Sequence, residues 1–215
     1  MRRVFADLLS TCDRSEEMSS LNVFFAGVGG QGIITGASII ARASIAAGLN
    51  AVMSEVHGMA QRGGSVVCEL RLGDVRSPMI PDGEADLIIG FEPVEAVRCL
   101  TKANHGTVII TEVRPIIPVS VSLGGTPYPA VDDLLAYLRS QVAAVYAVPA
   151  AAMAEEIGLP QVANVVLLGA AMGTGLIPLE FETIRQTLSR TVPAEALDAN
   201  LRALQKGFDV SRKSP

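Results

Sequence analysis

Residues 54–66 read SEVHGMAQRGGSV, and within this stretch stand a carboxylate (Glu55), one of the chain's two histidines (His57), an amide (Gln61) and a guanidinium (Arg62). An acid, a base, a hydrogen-bonding amide and a cation are the groups from which acid–base and anion sites are assembled. Gly63 and Gly64 follow, where a missing side chain lets the backbone pass close to a ligand or another chain, and Ser65 adds a hydroxyl. Arg62 beside them offers a planar fork to a carboxylate or phosphate. As a self-contained catalytic site the stretch is incomplete. No serine stands in G-x-S-x-G, no HExxH or H-x-x-x-H spacing occurs, and the other histidine, His105, falls in a turn-like NHGT. His57 is therefore expected to be a hydrogen-bonded structural residue, and no residue is assigned a catalytic role.

A second candidate lies upstream. Residues 27–32, GVGGQG, place Gly27, Gly29 and Gly32 in the G-x-G-x-x-G spacing, with Gly30 and Gln31 inside it. Between a strand and a helix such a loop binds a dinucleotide or phosphate: glycine permits the tight turn, the backbone approaches the ligand, and the helix N-terminus presents free N–H groups. Glu55, near the end of the next strand, stands roughly where a ribose-binding acid is expected. The same geometry also serves as a plain strand-to-helix turn at a protein interface. Gln31 suits either reading, and both stay open on the residues alone.

Both loops need a frame. LNVFFAG (21–27) reads as a buried strand, IITGASIIARASIAAG as a helix and NAVMSEV as a second strand. SVVCELRLG alternates Cys68, Leu70 and Leu72 with Glu69 and Arg71, which predicts a strand with one wet face. DLIIGFE, GTVIITE and AAVYAVP read as further strands and VDDLLAYLRSQ as an amphipathic helix. Another helix opens at Pro93, where the missing N–H has no partner to lose. Residues 113–130, with four prolines, read as an extended excursion, and the remainder as helical with starts near Pro160, Pro178 and Pro193. This order predicts an α/β fold: a Rossmann-like, doubly wound, largely parallel sheet with a helical C-terminal tail. In it the loop after the second strand lies beside the glycine loop on the sheet's carboxyl edge.

With 215 residues the chain suits one such domain over 21–210, preceded by an N-terminal extension, residues 1–20, expected to be flexible. Hydrophobic residues make up 49% of it and charged residues 18%, with a mean hydropathy of +0.40. Either the strands are covered on both faces or part of the surface is buried against a partner. A net charge of −5 and a pI near 5.1 argue against binding to nucleic acid or an anionic membrane. Cys12, Cys68 and Cys99 are scattered and lack CxxC spacing, so no disulfide framework, zinc site or iron–sulfur site follows, and a reducing cytoplasm suits them. The uncharged run 161–179 contains Asn164, three glycines and a proline, and reads as a buried helix in preference to a membrane span.

AGVGGQGIITGASIIARA, SEVHGMAQRGGSVVCELRLG, SPMIPDGEADLIIGFEPVEAVR and VANVVLLGA together resemble the gamma-type domain of 2-oxoacid:ferredoxin oxidoreductases, from about Leu21 to about Gly207. EVHGMAQRGGSV followed by GFEPVEA is most similar to the small (beta) subunits of the indolepyruvate ferredoxin oxidoreductase type. The resemblance implies an accessory subunit, inactive alone, of a complex that oxidatively decarboxylates an arylpyruvate such as indolepyruvate or phenylpyruvate. That complex joins the acyl group to coenzyme A and passes two electrons to ferredoxin. The resemblance further implies that thiamine diphosphate, magnesium and iron–sulfur clusters sit on the large (alpha) subunit and none on this chain. In that picture Gly27 to Gly32 and Glu55 to Ser65 form the edge facing the large subunit and the coenzyme A path. The residues agree with this division of labour, because three scattered cysteines cannot ligate a four-cysteine cluster and no GDG…NN pattern is present. Two alternatives remain: a stand-alone dinucleotide-binding Rossmann protein, and a non-catalytic scaffold subunit.

Overall fold

The computed structural model describes residues 20–57, 63–117 and 127–213. Apart from Ser20, the extension read at residues 1–20 lies outside the described residues, as do Gln61 and Arg62. Strands β1 (Ser20–Val28), β2 (Ala51–His57), β3 (Ser65–Gly73), β4 (Leu87–Gly90), β5 (Val108–Glu112) and β6 (Ala144–Val148) form one sheet in the order β2-β3-β1-β4-β5-β6. β1, β4, β5 and β6 run parallel, whereas β3 is antiparallel to both of its neighbours. The helices are α1 (Ile33–Ala46), α2 (Pro93–Arg98), α3 (Val131–Gln141), α4 (Ala150–Ile157), α5 (Ala163–Gly173), α6 (Phe181–Thr191) and α7 (Leu197–Ser211). This is the doubly wound, largely parallel sheet with a helical C-terminal tail that the pattern predicts. α4, directly after Pro149, is a proline-led helix beyond those expected at Pro93, Pro160, Pro178 and Pro193.

Alternation along the strands splits the core into two layers. Val23, Phe25, Cys68, Leu70, Leu87, Ile89 and Ile110 pack toward α1 and α4 to α7, while Phe24, Ala26, Ile88, Ile109 and Val145 pack toward α2 and α3. Covering both faces is why the strands read as continuous apolar runs.

The wet face expected on β3 is corrected. Glu69 is only 4% exposed, because the connector from β3 to β4 crosses over it and its carboxylate accepts the Ile80 N–H. Arg71 donates to Asn22 Oδ1 at 2.8 Å and reaches the Ser77 and Met79 carbonyls at 3.3 Å. Polar residues that alternation assigns to solvent are here used to strap down a loop.

The uncharged run at 161–179 supplies α5, buried against α7 at a distance only glycine allows. A Cβ on Gly169 would lie 2.1 Å from the Leu204 carbonyl oxygen, and one on Gly207 would lie 1.9 Å from that of Val166. The Ser211 hydroxyl donates to the Ala170 carbonyl at 2.8 Å across the same crossing. Among the described residues no helix is long and apolar enough to cross a membrane.

Candidate functional site

β1 ends and β3 begins at the same edge of the sheet, and there the Gly29 N–H donates to the Gly64 carbonyl at 2.8 Å. The structure thus brings the two glycine-bearing loops into contact. Inside the first loop the Gln31 side chain folds back on its own turn: Oε1 accepts the Val28 N–H and Nε2 donates to the Phe91 carbonyl, each at 2.6 Å. Gly27 leaves the room for this, since a Cβ there would lie 2.7 Å from both Gln31 Oε1 and Phe91 Cβ. Gly32 has φ 75° and faces Asn164, whose Nδ2 would lie 2.4 Å from a Cβ. At Gly30, with φ 104° and exposed, the added atom meets open space. The fingerprint glycines Gly27 and Gly32 therefore accommodate the protein's own side chains. α1 begins at this turn without a side-chain cap, beside an open depression of about 490 Å³ lined by Gly29, Gly30, Gly32, Ile33, Ile34 and Val66.

Glu55 is not where a ribose-binding acid belongs. β3 lies between β1 and β2, so Glu55, opposite Cys68, is two strands and roughly 10 Å from β1 across the sheet. A Rossmann acid stands on the strand next to the glycine loop. The cause is the hairpin: β2 returns as β3, and the returning strand takes the place beside β1. His57 closes β2 opposite Val66, Gly63 has φ 78°, and Ser65 opens β3. Gln61 and Arg62 fall outside the described residues.

Three buried glutamates at this edge were not singled out as candidates. Glu92, 2% exposed, follows β4; Oε2 accepts the Glu95 N–H at 3.0 Å and Oε1 accepts the Ile116 N–H at 3.2 Å and the Tyr128 hydroxyl. Tyr128 is pushed well above the usual phenol range, first by burial and then by its bond to the Glu92 carboxylate. Glu95, 5% exposed, accepts the Ser65 hydroxyl at 2.6 Å and an Arg98 N–H at 2.5 Å. Glu112, 4% exposed, ends β5 and accepts the Val113, Arg114 and Ala151 N–H groups at 2.8, 2.9 and 2.7 Å. The available signal was a glutamate closing each of two buried strands, in DLIIGFE and GTVIITE. Between the glycine loop, the end of β5 and the start of α5 lies a cleft of about 200 Å³ bordered by Gln31, Glu112, Arg114, Ile116 and Asn164. Arg114 at its rim pairs with Glu155, one arm at 3.0 Å.

The described cysteines do not fit a metal cluster. Cys68 and Cys99 belong to opposite core layers, and each thiol is pushed up to about 12, mainly by burial. Iron and zinc are bound by the thiolate, which these sites disfavour. Among the described residues no group of three or more metal-ligating side chains comes together.

These features define a doubly wound α/β domain whose carboxyl edge carries two touching glycine turns and three buried glutamates. The chain belongs to the pyruvate ferredoxin/flavodoxin oxidoreductase family, which it matches over residues 22–210. It is 43% identical over 189 residues to indolepyruvate oxidoreductase subunit IorB of Archaeoglobus fulgidus, covering 88% of this chain and 94% of that one. Two solved structures share the fold at 24% identity. The gamma subunit of keto/oxoacid ferredoxin oxidoreductase from Geobacter sulfurreducens has a TM-score of 0.65 over 90% of this chain and 99% of its own. The 2-oxoglutarate:ferredoxin oxidoreductase of Magnetococcus marinus, with 2-oxoglutarate, coenzyme A and succinyl-CoA bound, has a TM-score of 0.72 over 93% of this chain and 32% of its own.

Proposed function

We propose that this chain is the accessory subunit of an arylpyruvate:ferredoxin oxidoreductase. The complex converts indolepyruvate or phenylpyruvate and coenzyme A to the arylacetyl-CoA, carbon dioxide and a proton, and two electrons leave to ferredoxin. The observation that carries this reading is the 43% identity to an indolepyruvate oxidoreductase subunit over nearly the whole of both chains. A large partner subunit holds the thiamine diphosphate, magnesium and iron–sulfur clusters. The protonated, separated Cys68 and Cys99 of this chain are consistent with that arrangement.

This chain's own task is to present a shaped edge to the large subunit and to the coenzyme A path. The touching turns at Gly29 and Gly64 support this, together with the exposed apolar residues Val56, Ile116 and Ile117. Gln61 and Arg62 belong to the same loop in sequence and are assigned to the same edge. The stand-alone dinucleotide reading is disfavoured by the position of Glu55 and by the Gln31 and Asn164 side chains packed against the glycines.

The test is reconstitution. Co-purified with its large subunit, the chain is expected to confer coenzyme A-dependent reduction of ferredoxin or methyl viologen by phenylpyruvate. Full coenzyme A-dependent turnover by the large subunit alone sinks the proposal. Calorimetry of the isolated chain with millimolar NAD or FAD separates the Rossmann alternative, which requires binding.

A further inference from the structure

The segment FEPVEA carries part of the family likeness, yet the function proposed above gives it no task. In the structure its two glutamates reach in different directions. Glu92 holds Ile116 through its N–H and Tyr128 through its hydroxyl. Glu95 holds the Gly63–Ser65 loop, through the hydroxyl of Ser65, next in chain to Gly64, whose carbonyl accepts the Gly29 N–H. Both carboxylates sit on one short turn that starts at Pro93, and Glu92 caps that turn by accepting the Glu95 N–H.

The chemistry explains the residue type. Glu92 faces three donors, and only an ionised carboxylate is acceptor at every one of its lone pairs. A glutamine there would set its NH₂ against at least one N–H or O–H. Side chains that only filled the core would be apolar, as Ala96, packed against the end of β4, is. These two instead spend buried charge on loops at the carboxyl edge.

We propose that Glu92 and Glu95 are positioning residues: the turn they occupy fixes the spacing of Ser65 from Ile116 and Tyr128, and this spacing sets how tightly the assembled enzyme uses coenzyme A. The inference rests on the subunit assignment made above.

The experiment uses the complete complex with phenylpyruvate, coenzyme A and methyl viologen. Tyr128→Phe removes one hydroxyl from Glu92, and Glu95→Gln weakens the hold on Ser65 and Arg98. Each is expected to raise the apparent KM for coenzyme A about three- to tenfold, part of the worth of one lost charge-assisted hydrogen bond. The KM for phenylpyruvate and kcat at saturating coenzyme A stay within about twofold, as for a change confined to coenzyme A binding. Glu92→Gln and Tyr128→Phe combined are expected to cost less than the product of the single effects, because both act through one bond. A folded, assembled Tyr128→Phe complex with the wild-type KM for coenzyme A overturns the inference, as does an equal rise in both KM values. Wild-type turnover that does not need this chain overturns the subunit assignment instead, before any variant is measured.

Discussion

Gln31 Nε2 donates to the Phe91 carbonyl at 2.6 Å, tying the tip of the turn after β1 to the residue that follows β4. β1 and β4 are parallel neighbours, and the Phe91 N–H donates to the Ala26 carbonyl at 2.7 Å. The amide therefore completes the junction at which the two strands leave the sheet. Gln31→Leu, similar in size, strands the Val28 N–H and the Phe91 carbonyl. It is expected to cost about 2–3 kcal/mol in urea unfolding. Unchanged stability would mean that Gln31 is free to face a ligand.

At the crossing of α5 and α7 the backbone itself is the contact surface. Gly207→Ala gains about 1 kcal/mol of helix propensity, but its Cβ would sit 1.9 Å from the Val166 carbonyl oxygen. Forcing two helices apart costs about 1–3 kcal/mol or more, so a net loss is expected. Thermal unfolding decides, and a raised melting temperature would contradict the close approach.

Glu112 satisfies three backbone N–H groups from a buried position. Glu112→Ala removes the acceptor from the first residues after β5 and from the first turn of α4. The expected loss is about 2–4 kcal/mol in chemical denaturation, from charge-assisted bonds and stranded donors. Glu112→Gln, which retains one acceptor oxygen, is expected to fall between the two.

The buried thiols predict an alkaline signature. Burial pushes the Cys68 and Cys99 thiols up to about 12 in the folded chain, from 9.0 for the free group. The folded state therefore holds these protons more tightly than the unfolded state. Their contribution to stability is complete below pH 9 and is lost as the pH rises from about 9 through 12, at up to about 1.4 kcal/mol per pH unit for each thiol. With Cys12 replaced by serine, a disulfide reagent at pH 8 is expected to label neither thiol until denaturant is added. Rapid labelling of the folded chain would show that the two sites open.

Arg62 carries the strongest expectation drawn from the loop at residues 54–66. Arg62→Ala is expected to raise the KM for coenzyme A or to weaken assembly with the large subunit, by roughly tenfold for a lost guanidinium contact. An intact complex with wild-type kinetics removes Arg62 from the site. If loop variants alter assembly and never the KM for coenzyme A, the edge is a scaffold surface only.

Much of the fold was legible because hydrophobic period is a local property. Strands buried on both faces read as apolar runs, and prolines marked the starts of later helices. The site was less legible. Glu69 looked solvent-facing until a connector crossed it, and Glu55 looked like a nucleotide ligand until β3 was inserted beside β1.

The α/β class, the two glycine-bearing loops and the family follow from residue order and spacing alone. What the glycine turn holds depends on contacts between distant parts of the chain. Gln31 reaches Phe91 60 residues away, and Asn164 reaches Gly32 132 residues away. Such partners are chosen by strand order and helix packing, which no local pattern of residues encodes.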